Sequence, residues 1–183
     1  MQLRPGIQLQ SIMKSMKDVV LPALDPSNKL ALEQGQLIMG MLNILSQRLP
    51  LEYRFDCDEL GRLLELSRRL GEQAKGGGKT TAALKTLATS TTHGADVLER
   101  ARAEPGEVYE AVKELRAKTS DVVQSVFKDG EAASRTAVRK SVLAISAEQL
   151  QRDRAWLIGQ GWEPDSKSIP PIESLITART AKA

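Results

Sequence analysis

Residues 59–84 read ELGRLLELSRRLGEQAKGGGKTTAAL, and two architectures compete for them. If Gly76, Gly77, Gly78, Lys79 and Thr80 cradle a phosphate, a buried strand must precede them and the chain is an α/β protein. If they do not, they let one helix turn into the next. A phosphate loop of the GxxxxGK[ST] type needs its first glycine to start the turn whose amides and lysine surround the phosphates. Counting back from Gly78-Lys79-Thr80 puts that glycine at 73, and the chain has Gln73 there.

The residues before the loop also argue for a helix. Leu60, Leu63, Leu64, Ser67 and Leu70 recur at helical spacing, opposed by Arg62, Glu65, Arg68, Arg69 and Glu72, which is the pattern of an amphipathic helix. No alternation of strand and helix follows that would build a parallel sheet. The expectation is an interhelical turn in which Gly76 is a left-handed terminator and Thr80 or Thr81 caps the next helix. Gly77, Gly78, Lys79 and Thr80 are kept as an anion-site candidate without an implied reaction, because free amides at a helix start attract negative charge.

The same periodicity runs outward in both directions. Leu9, Ile12, Met13, Met16, Val19 and Val20 mark a first helix over 6–20, ended by Pro22. Asp25 with Pro26 is expected to start a second helix over 26–48. Its core face is read as Leu30, Leu37, Ile38, Met41, Leu45 and Leu49, with a second apolar stripe at Leu32, Gly35, Met39, Leu42 and Ser46. PLEYRF at 50–55 reads as a short extended crossing, after which Asp56 or Asp58 caps the third helix.

Beyond the glycines the pattern weakens. TSTTHG at 89–94 is rich in residues that favour turns and caps, so a mobile or kinked segment over 75–94 is expected, with a short helix from Ala95 to Ala103. Val108, Val112, Leu115, Thr119, Val122 and Val126 then mark a strong helix closed by Asp129-Gly130. A last long helix runs from Glu131 to about Ile158 through Ala133, Ala137, Val138, Val142, Ile145, Gln149 and Trp156. Pro164, Pro170 and Pro171 make the remainder an irregular tail.

Together these give an all-α chain: a mainly antiparallel helical bundle of five or six helices over 1–160, with an extended Pro-containing tail over 161–183. A chain of 183 residues is long enough to bury a core in one domain. It has only six aromatics and abundant good helix formers, which agrees with the class.

Composition excludes several functions. Twenty-six cations face 23 anions for a net charge of +3, and no segment is a basic block of the kind that neutralises phosphates, so the sequence argues against nucleic acid. Cys57 is the only cysteine and His93 the only histidine, which rules out an intrachain disulfide and a di-iron centre built from two Glu-x-x-His pairs. The uncharged stretch 34–47 would span about 21 Å as a helix, short of a membrane's hydrocarbon core. No metal and no cofactor are expected, and the lone cysteine points to a reducing, cytoplasmic setting.

Single residues add little chemistry. Cys57 sits in DCDE, where carboxylates disfavour a thiolate, and is read as packed. Asp56, Asp58 and Glu59 match no Ca²⁺ loop and are read as capping residues. Glu110 and Glu114 lie one turn apart among Lys113, Arg116 and Lys118, as on a solvated face.

Methionine is more informative. Beyond Met1, all four lie in the first two helices, and methionine suits surfaces that accommodate varied apolar partners. Met13, Met16, Leu32, Gly35, Met39 and Leu42 are therefore the expected apolar interface or ligand surface. The leading functional expectation is a non-enzymatic interaction or scaffold protein, a homodimer or the partner of another helical protein. The alternative is a module holding an acyl or other hydrophobic small molecule in a Met-lined cavity. The least supported is an enzyme using the glycine loop and His93.

Overall fold

The computed structural model of the protein describes residues 4–100, 102–161 and 163–176. They are all-α, as the periodicity predicts, with seven α-helices and no strand among them. These are α1 (Pro5–Ser15), α2 (Lys29–Arg48), α3 (Glu52–Gln73), α4 (Gly78–Glu99), α5 (Pro105–Asp129), α6 (Ala132–Leu157) and the one-turn α7 (Ile172–Leu175). The chain divides into two compact units, Met1–Glu52 with Asp153–Ile172 and Tyr53–Arg152 with Glu173–Ala183.

In the first unit, α1 widens into a π turn at Met16–Val20 and then tightens to a 3-10 turn at Leu21–Ala23, where Pro22 has no amide with which to continue the α ladder. Helix α2 starts later than expected. The Asp25 side chain accepts from the Ser27 amide and hydroxyl at 2.8 Å each, a local turn that leaves the capping to Asn28, whose side chain accepts from the Ala31 amide at 3.0 Å. Gly35 lets Leu21 and Leu24 lie against the α2 backbone, where a Cβ would stand 2.5 and 3.3 Å from their side chains. The turn at Ile158–Gln160 packs by Gly159 near Ile44 and Gln47, and the Arg48 guanidinium lies 5.4 Å from the Trp156 ring.

The second unit is an antiparallel four-helix bundle. Contacts between α3 and α6 run in opposite directions along the two helices: the Lys75 amide donates to Ser134 at 2.9 Å, Ser141 donates to Gln73 at 2.8 Å, and Arg152 pairs with Asp58 at 2.9 Å. Helices α4 and α5 form a hairpin in which Gly76 bridges Gly130 at one end. Gly94 of α4 sits against Leu115 of α5 and Leu60 and Leu64 of α3. The stripes predicted on α3 and α5 are buried at every position, including Leu60, Leu70, Leu115, Val122 and Val126 at 0% exposure.

Three local expectations are corrected. Helix α3 begins at Glu52, so Tyr53, Arg54 and Phe55 are helical, not extended; Pro50 ends α2 but leaves the residues after it free to start a new helix. The threonine-rich stretch is helical throughout α4. Thr89, Thr91 and Thr92 each donate to the carbonyl four residues back, at 3.4, 2.7 and 3.1 Å, which satisfies the hydroxyls without breaking the ladder. Gly76 is not left-handed, since Gly161 is the only glycine with positive φ among the described residues. What Gly76 supplies is close approach, because a Cβ there would stand 2.7 Å from the Gly130 Cα and 2.9 Å from the Asp129 carbonyl oxygen.

Of the expected tail, residue 162 and residues 177–183 lie outside the described residues. Within 163–176, a 3-10 turn at Ser166–Ser168 precedes α7.

Candidate functional site

The glycine loop already holds an anion, and the chain supplies it. Asp129, at the C-terminal end of α5, accepts from the backbone amides of Lys79 at 2.8 Å and Thr80 at 3.1 Å, and from the Thr80 hydroxyl. The Gly77 amide donates to the Asp129 carbonyl at 3.0 Å and the Glu131 amide to the Lys75 carbonyl at 2.9 Å. Amides at the start of α4 that a phosphate would need are thus capped by a carboxylate distant in sequence. Thr80 is fully buried. Gly77, Gly78, Lys79 and Thr80 therefore form a structural junction between the two ends of the α4–α5 hairpin.

This junction has a pH signature. The Thr80 hydroxyl, then the Lys79 and Thr80 amides and the Lys79 charge, hold the Asp129 carboxyl below its ordinary value of 3.8 against an opposing cost of burial. A folded pKa below the unfolded one stabilises at pH above 3.8, and the stabilisation is lost as pH falls through the folded value. Asp129→Ala is expected to lower the melting temperature at pH 7, and the gap from wild type should close in a thermal titration run from pH 7 to below 3. A gap that stays constant to the lowest pH would remove the carboxylate from this role.

The residues singled out for catalysis are not brought together. His93 lies exposed on α4. Glu110 is bonded to Lys113, while Glu114 accepts from Ser90, so the two do not share a site. No group of three or more His, Cys, Asp or Glu side chains placed to hold a metal occurs among the described residues.

The acidic cluster on α3 is instead a hub of ion pairs. Asp58 is 3% exposed and pairs at 2.9 Å with both Arg62 and Arg152. Arg62 continues to Glu148, and Glu59 pairs with Arg116. Arg152 is 1% exposed, is bonded to Gln149 at 2.7 Å and lies 4.5 Å from the Phe55 ring. Beside this hub, a cleft of about 550 Å³ opens along α3, with Cys57, Leu98 and Ile145 as apolar lining and Arg54, Arg62 and Glu148 as charged lining. Sequence periodicity missed Arg152, since a lone arginine on a mixed face gives no sign of burial; only its match to Asp58 does.

The first unit carries a surface of the opposite character. Met13, Met16, Leu32, Met39 and Leu42 are partly covered and Gly35 is buried, so the expected interface residues form the inner side of the first unit. The face read as the core of α2 is the exposed one: Leu30 is 66% exposed, Met41 65% and Leu45 54%, with Leu37, Ile38 and Leu49 also exposed. The two stripes exchange roles because Leu21 and Leu24 settle on Gly35, where the missing Cβ lets them reach the helix backbone; nothing packs on Gly40, the other glycine of α2. A second cleft, about 430 Å³, is lined by Leu9, Ile12, Leu45, Leu49 and Trp156. Neither cleft is lined by methionine. No helix among the described residues is long and apolar enough to cross a membrane.

No protein-family model, curated protein or solved structure matches the chain.

Proposed function

We propose that this chain is a non-enzymatic helical interaction protein that self-associates through the exposed apolar face of α2, with α1 beside it. The observation that carries the reading is the concentration of exposed large apolar side chains there. Six lie on or just after α2, and Ile7, Ile12, Val19 and Val20 belong to α1 and its continuation. Apolar patches of this kind mark interaction surfaces.

A second copy is the partner that the charge pattern fits. Residues 34–47 carry no charge, so two copies of α2 crossing about a two-fold axis would meet without like-charge repulsion in the middle. Such an isologous contact needs only one self-complementary patch. The cleft beside Leu45 and Leu49 supports a second reading, an apolar small molecule held in the first unit, since its volume falls in the usual range of ligand pockets.

Native mass spectrometry separates the two. Self-association is expected to give twice the 20.0 kDa chain mass with no retained ligand, and Met41→Asp, on an exposed position, should return the protein to monomer with its helicity intact. A monomer carrying an apolar adduct would replace this reading with the ligand-binding one; a bare monomer at tens of micromolar would sink both.

A further inference from the structure

The last described turn of the chain is held by side chains of another helix. Helix α7 has four residues, too few to be stable alone. Arg54 donates to the Glu173 carbonyl at 3.1 Å and to the Ile176 carbonyl, and Arg62 donates to the Leu175 carbonyl at 3.2 Å. Carbonyls of a last turn have no partner within their own helix and form the negative end of its dipole. Here both donors are cations, which makes these bonds stronger than neutral ones.

The side-chain contribution is equally specific. Ile176 is 1% exposed, whereas Glu173 and Ser174 are exposed. The segment is anchored by its carbonyl end and by Ile176, its one fully buried side chain, with Ile172 and Leu175 half-buried beside it. A division in which main-chain bonds supply affinity and a buried side chain supplies selectivity is how extended peptides are read at a sheet edge; here the main-chain groups are the free carbonyls of a helix end. The receptor side is pre-set, because Arg62 is oriented by Asp58 and Glu148.

We propose that Arg54 and Arg62 form a peptide-docking site on α3, selective for a short helical segment ending in a buried isoleucine. Glu173–Ile176 is its internal occupant, and a segment of the same chemistry from another molecule displaces it. Four residues tied at one end open with far less free energy than the bundle needs to unfold. An internal occupant competes at an effective concentration on the order of millimolar, so the wild-type site is masked until the tail is weakened or an external peptide is in excess. This inference is independent of self-association through α2.

The test uses the full chain and a fluorescein-labelled peptide of residues 169–183. In fluorescence anisotropy, Ile176→Asp protein should bind the wild-type peptide at least tenfold more tightly than wild-type protein does. Adding Arg54→Ala should cost at least tenfold, and a peptide carrying Ile176→Asp should not bind. If the Asp variant does not fold, Ile176→Ala carries the same order of affinities. Equal binding by wild type and the tail variants, or no effect of Arg54→Ala, overturns the proposal.

Discussion

Arg152→Ala is expected to destabilise the protein by roughly 3 kcal/mol, the lower part of the range for breaking a buried ion pair. The pair is closed on both sides: Arg152 and Asp58 are 1% and 3% exposed and 2.9 Å apart. Removing the guanidinium leaves a buried carboxylate short of one cation and uncovers the Phe55 ring. Arg62 still reaches Asp58 at 2.9 Å, which keeps the loss from the top of the range. Arg152→Met retains the apolar stem and should recover part of the deficit. Urea unfolding with an unchanged m value checks both. A loss below about 1 kcal/mol would class the pair with surface ion pairs.

Leu115→Ala is expected to cost roughly 2–5 kcal/mol, the range for truncating a buried leucine. Leu115 is 0% exposed and lies where a Cβ on Gly94 would stand 2.9 Å from its methyl. The close contact gives the prediction a second arm. Gly94→Ala alone overpacks α4 against α5 and should cost about 1–3 kcal/mol. In the Leu115→Ala background the same methyl enters the vacated space, so the two costs should fall short of additivity by at least about 0.5 kcal/mol. Additive losses in a double-mutant cycle would show that Gly94 does not set the α4–α5 approach. By contrast, Leu37→Ala on the exposed face of α2 should change monomer stability by less than about 0.5 kcal/mol.

How far the sequence can be read follows from how strongly one face differs from the other. On α3 and α5, leucines and valines oppose charges at every turn, and each predicted inward position is buried. On α6 the predicted stripe is covered from Ala137 to Trp156, with Val138 buried, but Ala133 is exposed, and hydrophobicity gave no sign of the buried Ser134, Ser141 and Arg152 beside it. On α2 both stripes are apolar, and the periodicity that identifies the helix cannot say which stripe is covered. The glycine loop was legible in what it lacks, a glycine at 73 and a preceding strand, but not in what caps it.

Local sequence therefore determined the helical class, the inward faces of α3 and α5, and the absence of a phosphate loop, because each depends on residues within a few turns of one another. Tertiary structure alone decided that Asp129 caps α4, that Arg152 is buried on Asp58, that Leu21 and Leu24 cover Gly35 and leave Leu30, Met41 and Leu45 outside, and that Arg54 and Arg62 hold the end of α7. The reason is physical: most of these are pairings between groups far apart in the chain, and the period of a single helix carries no information about which partner will meet it.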